Sequence, residues 1–189
     1  MTLRDDAHDV LTRWTAPDTE QERLRSVYLA HLDRHPDAME RSCHPDHLTA
    51  SALIVSADHT RVLLTLHRVI KRWLQTGGHC EPDDATLRDA ALREGREESG
   101  IPDLAVDPVP VLLSLHEVPS CGPIRPSHHL DVQYVAVAPA GSQEVISDES
   151  DDLAWFDIDD LLDPSSPAQT DQSVRDLIAA ATRRLRESP

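Results

Sequence analysis

Residues 77–101 read GGHCEPDDATLRDAALREGREESGI, and this stretch decides the fold. Residues 85–99 predict a helix. Gly100 ends it, and Ile101 just beyond fits the apolar contact of a C-terminal cap. Glu94, Glu97 and Glu98 stand at i, i+3 and i+4, so the helix sets all three on one face. Like charges so placed repel, and the pattern makes little sense for stability alone. A hard divalent cation removes the repulsion, because carboxylate oxygens are the ligands that Mg²⁺ or Mn²⁺ accepts. Ahead of the helix, Gly77 and Gly78 predict a turn whose backbone approaches a ligand or takes a positive φ.

Outward from this segment the chain alternates between strand and helix patterns. Residues 47–56 and 61–67 read as two strands, joined by a hairpin turn at Ala57-Asp58-His59-Thr60. Trp73-Leu74-Gln75 reads as a short extended lead-in. Beyond the helix, strands are expected around 109–117, at 130–138 and at 153–156. A short helix near 158–162 and a final one over 171–187 follow, the last with Val174, Leu177, Ile178, Ala181 and Leu185 on one face. Residues 1–44 read as a helical N-terminal extension, with a capping box at Thr19 and Glu22 opening its second helix. Interleaved strands and helices indicate an α/β fold with a mixed sheet.

The segment resembles the Nudix box, G-x5-E-x7-R-E-U-x-E-E-x-G-U, where U is a bulky aliphatic. Gly78 opens it, and Arg93-Glu94, Glu97-Glu98, Gly100 and Ile101 match its second half in register. The resemblance implies a Nudix-type α/β/α sandwich over residues 45–189, with a loop–helix–loop that holds metal ions. It implies that Glu94, Glu97, Glu98 and Gly78 surround Mg²⁺ or Mn²⁺. Arg93 then pairs with a carboxylate and fixes the catalytic loop and helix. The expected activity is hydrolysis of a phosphoanhydride in a nucleoside diphosphate-linked or related small substrate. The water would lose its proton to Glu98 or to Glu149, which precedes the last strand. Three positions depart from the pattern. Asp84 stands where the family has Glu, eight residues rather than seven separate it from Arg93, and Gly95 replaces the bulky aliphatic. A longer loop and a non-equivalent Asp84 are both open. Gly95 requires that a neighbour fill the space or that the helix sit closer to the sheet.

Other residues are candidates for the substrate. His79 adjoins Gly78, Arg72 belongs to a basic patch with His67, Arg68 and Lys71, and His129 precedes a strand. Glu81 reads equally as a metal neighbour or a helix-capping carboxylate. Cys80 reads as a small packed side chain. Cys80, Cys121, His128 and His129 match no zinc spacing, so a substrate-lining or structural role is expected for the histidines. Pro119 weakly suggests ADP-ribose-like substrates.

Acidic residues outnumber basic ones by 34 to 18, a formal charge of −16 that disfavours long nucleic acids as partners. A small phosphorylated substrate is compatible, because bound metal reverses the local sign. Three cysteines at wide spacing suggest no disulfide framework. The charged start and short apolar runs suggest neither signal peptide nor membrane span, so a cytoplasmic protein is expected. The extension could cover the pocket or form a homodimer contact. A non-catalytic Nudix-like nucleotide-binding or sensor module is the second reading, and a prenyl diphosphate isomerase the third.

Overall fold

The computed structural model describes all residues except 70, 119–120, 122, 148–149, 164–169 and 188–189. Helices α1 (Leu3–Arg13) and α2 (Thr19–Arg34) come first, followed by the hairpin β1 (His47–Val55) and β2 (Arg61–His67). Short strands β3 (Trp73–Leu74) and β4 (Thr76–His79) lead into α3 (Leu87–Ser99). Strands β5 (Ala105–Val106), β6 (Leu112–Glu117), β7 (His128–Val137) and β8 (Ser150–Asp157) complete the sheet. Helices α4 (Ile158–Leu162) and α5 (Gln172–Glu187) close the described chain.

The sheet is mixed, as expected. β1 runs parallel to β7, with His47 opposite His129 and Val55 opposite Val137. The pairings of β1 with β2 and β4, and of β7 with β5 and β6, are antiparallel. Strand alternation sends side chains to two faces. Leu48, Ala50, Ala52 and Ile54 of β1 join a core with α1, α2 and α3, whereas Leu53 and Val55 join one with α4 and α5. Helices therefore cover both faces, which is the α/β/α sandwich that the resemblance implied. No described helix is long and apolar enough to cross a membrane.

Two local expectations are corrected. Gly77 and Gly78 lie in strand β4, not in a turn, opposite Ser51 and Ala50 of β1. A Cβ on Gly77 would fall 2.3 Å from Ser51 Cβ, so glycine here permits close strand approach. Helix α2 is capped by Asp18, whose carboxylate accepts from the Gln21 amide, and Thr19 is its first residue. The two-residue strand β5 has no counterpart in the sequence reading. Gly100 ends α3 in the left-handed conformation, at φ 68°, as expected.

The N-terminal helices are wedged into the sandwich. Ala7, Leu11, Trp14, Tyr28 and Leu32 belong to the same core as α3. The Trp14 indole donates to the Pro110 carbonyl at 2.7 Å, and Asp6 accepts from the Leu87 amide at the start of α3. The Gln21 amide group both donates to the Leu113 carbonyl and accepts from the Leu113 N–H, at 3.1 and 2.7 Å. In that way α2 occupies backbone groups on β6 that would otherwise form an open sheet edge.

Candidate active site

Helix α3 is held at its start by the Thr86 side chain, which accepts from the Asp89 amide, a cap that satisfies one unpaired N–H of the first turn. Its packing on the sheet depends on Gly95. A Cβ there would meet Leu104 Cδ1 at 3.1 Å, with Thr76 and Ala52 next nearest. Leu104 thus fills the space left by the missing aliphatic, and the helix lies close over β1 and β4.

Arg93 organises the acidic face. Its guanidinium makes a two-pronged contact with Asp84, Nε to Oδ1 at 3.1 Å and Nη2 to Oδ2 at 3.0 Å. The same group reaches the His79 carbonyl, Glu94 and Glu97 at 2.9, 3.0 and 3.2 Å. Glu81 comes within 3.8 Å. The Asp84 contact, ahead of the Glu94 charge, raises the Arg93 pKa well above its ordinary value. Asp84 also accepts from the Glu81 amide at 2.8 Å, tying the loop to itself. The departure at this position is thereby explained: the shorter acid on a loop one residue longer still reaches the arginine.

The glutamates differ in environment. Glu98 is buried, and its Oε1 accepts from the Gly77 amide at 2.9 Å. The Glu94 side chain is 13% exposed and that of Glu97 59%. Gly78 faces Glu94 so closely that a Cβ would lie 2.7 Å from its Oε1. One guanidinium therefore faces four carboxylates, those of Asp84, Glu94, Glu97 and Glu81. The uncompensated charge and the all-oxygen donor set fit a hard divalent cation. The missing Cβ of Gly78 keeps the space beside Glu94 open.

A second polar region lies on the other face of the sheet. Gly78 points toward α3, so its neighbour His79 points away. Its ring lies 5.1 Å from that of His47 and 4.9 Å from that of His129. Cys121 Sγ stands 3.6 Å from Nε2 of both His47 and His79. Burial holds the imidazoles neutral. It lowers the His79 pKa to about 4, helped by His47, and that of His129 to about 3, helped by His79 and His47. Beside them Asp131, itself buried, accepts from Thr49, Ser51 and Gln133 at 3.1, 2.7 and 3.1 Å.

Among the remaining expectations, Arg72 lies exposed between β2 and β3. Its neighbours Arg68 and Lys71 face Asp151 rather than the acidic helix face. Cys80 is packed, and burial pushes its thiol up to about 12. Glu149 and Pro119 lie outside the described residues.

Residues 45–181 match the NUDIX domain family model. The chain belongs to the NUDIX domain family. Its Nudix domain is similar to a Nudix-family hydrolase from Clostridium perfringens, with a TM-score of 0.60 and 24% identity over 74% of this chain and 97% of that one. A binary complex of the Ap4A hydrolase of C. elegans gives 0.60 and 17%, over 74% and 97%. The dihydroneopterin triphosphate pyrophosphohydrolase of E. coli gives 0.58 and 22%, over 72% and 95%. Among curated proteins, none matches the chain in sequence.

Sequence reasoning did not reach His47 or the Asp131 group, and it set Cys121 and His129 aside as metal ligands because their spacing matches no zinc pattern. A signal for the Asp131 group existed. In β1 the polar His47, Thr49 and Ser51 alternate with Leu48, Ala50 and Ala52, and in β7 His129, Asp131 and Gln133 alternate with Leu130, Val132 and Tyr134. Polar alternation on a strand covered on both faces marks a buried polar floor.

Proposed function

We propose that this Nudix domain hydrolyses a phosphoanhydride bond in a small nucleotide-like substrate, with Mg²⁺ or Mn²⁺ held by Glu94, Glu97, Glu98 and Gly78. The observation that carries this reading is the clustering of Glu94, Glu97 and Asp84 around Arg93, with Glu98 anchored on Gly77. Bound there, the ion would neutralise phosphate charge and acidify a water. Arg93 holds Glu94 and Glu97 in place, and Asp84 holds Arg93. Glu98, fixed at one oxygen by the Gly77 amide, is the base that takes the water's proton. Arg72 would meet the substrate's phosphates from the β2–β3 turn, whereas His79 and His129, expected at the substrate, stand on the opposite face of the sheet from Gly78 and Glu94. The names of the C. elegans and E. coli neighbours support a nucleotide or pterin polyphosphate as the substrate class.

The test is a panel of nucleoside di- and triphosphates, dinucleoside polyphosphates and sugar nucleotides, assayed with and without Mg²⁺. The wild type should release phosphate or pyrophosphate products only with metal. Glu98→Gln should retain the fold, because its amide oxygen still accepts from Gly77, yet lose about 10²-fold or more in kcat. Metal-independent turnover, or an unimpaired Glu98→Gln, would overturn the assignment.

A further inference from the structure

His47, His79, His129 and Cys121 each bring one ligand atom into a group whose members all lie within 4.8 Å of one another. We propose that these four residues form a second metal site, separate from the carboxylate site and selective for a zinc-class transition ion. Three imidazoles and a thiol are borderline-soft donors that suit Zn²⁺ and not Mg²⁺.

Three observations fit a bound ion. Zinc bonds of about 2.3 Å to sulfur and about 2.05 Å to nitrogen at a tetrahedral angle imply a sulfur–nitrogen edge of about 3.6 Å. Cys121 Sγ lies 3.6 Å from both His47 Nε2 and His79 Nε2. The His47 tautomer is also set for ligation. Its Nδ1 stands 3.2 Å from the Cys43 carbonyl, which can only accept, so Nδ1 carries the proton and Nε2 turns its lone pair inward. A backbone carbonyl behind the imidazole is the usual support of a metal-bound histidine. Third, His129 Nε2 is buried and has no hydrogen-bond partner. Hydrogen bonds through the Cys121 thiol can account for His47 and His79, but they leave His129 unsatisfied; a metal ion accounts for all four.

Two ligands come from directly paired strand positions, His47 of β1 and His129 of β7, and His79 ends β4 beside Thr49. Four protein ligands leave no open position, which is the form of a structural site. Its role is to tie the end of β4 to β1 and β7. The His79 carbonyl also receives Arg93, so the tie fixes the strand on which the box opens.

The full chain, freed of any affinity tag and stripped of metal, is titrated with Co²⁺ and with Zn²⁺ in excess Mg²⁺. The expected result is one tightly held equivalent, tetrahedral cobalt absorption, a thiolate-to-cobalt charge-transfer band and a higher Tm on Zn²⁺ loading. Cys121→Ser should remove the charge-transfer band, and His129→Gln should weaken binding at least tenfold. Glu97→Gln, whose side chain is exposed, should leave cobalt binding unchanged. A wild type that holds no stoichiometric Co²⁺ or Zn²⁺ overturns the proposal, as does binding that survives His129→Gln undiminished or is lost in Glu97→Gln. The readouts are independent of hydrolysis, so failure here and failure of the proposed activity are distinguishable.

Discussion

Asp84 shows how a residue that breaks a pattern can keep its role. Its carboxylate takes both prongs of Arg93 while only 6% of its side chain is exposed. Asp84→Ala should cost about 1–3 kcal/mol, the penalty for a buried donor left without its partner. Urea unfolding measures it, and a change near zero would show that Glu94 and Glu97 suffice for Arg93. Gly78 acts through what it lacks. In Gly78→Ala the new methyl must displace the Glu94 carboxylate, now 2.7 Å from where Cβ would sit. The Mg²⁺ concentration for half-maximal turnover should rise about tenfold or more, as it does when groups that orient ligands are altered. An unchanged metal titration would separate Glu94 from the ion. At this scale the glutamate face was legible, because i, i+3, i+4 spacing is a property of the helix itself. The histidine group was not. His47, His79 and His129 converge through strand pairing, the first and last 82 positions apart, and Cys121 joins them from the β6–β7 connection, so no local spacing encodes the group.

Elements were legible where their pattern is long. The hairpin of β1 and β2, helix α3 with its Gly100 cap, and α5 all stand close to their expected limits. Gly77-Gly78 was misjudged because two glycines ordinarily mark a turn, whereas here they let β4 lie against β1. The two-residue β5 carries too little periodicity to be seen. Nothing in α2 announced that Gln21 would pair with β6, since a helix side chain gives no hint of which backbone it will imitate. Gln21→Ala removes both hydrogen bonds to Leu113 and bares part of the β6 edge. About 1–3 kcal/mol of stability should be lost, to be checked by thermal or urea unfolding. Increased self-association at high concentration should accompany it, since an uncovered strand edge is a template for pairing.

For the molecule as a whole, the α/β class with a mixed sheet was legible in the alternation of strand and helix patterns, and the α/β/α layering followed from the resemblance to the Nudix box. The packing of the first two helices was not legible. They precede the Nudix domain, as expected of an extension, and contribute Leu11, Trp14, Tyr28 and Leu32 to the core under α3. A chain beginning near residue 45, where the family match starts, would expose that apolar surface. We expect deletion of residues 1–34 to leave the remainder insoluble or without fixed tertiary packing, with near-ultraviolet circular dichroism and amide proton dispersion as the measurements. A soluble, well-dispersed fragment would show instead that the helices are an accessory layer.

The wedging of these helices also has a consequence in time. Trp14 waits for Pro110, Gln21 for Leu113, and Tyr28 for Asp131, which lies 103 residues further on. During synthesis α1 and α2 leave the ribosome before these partners, which follow 92 to 103 residues later. Bridging such separations slows folding, because the intervening chain must be closed before any contact rewards it. Two helices made well before their partners are thus among the last elements to be buried, and for that interval their apolar stripe depends on chaperones or on the nascent chain's own collapse.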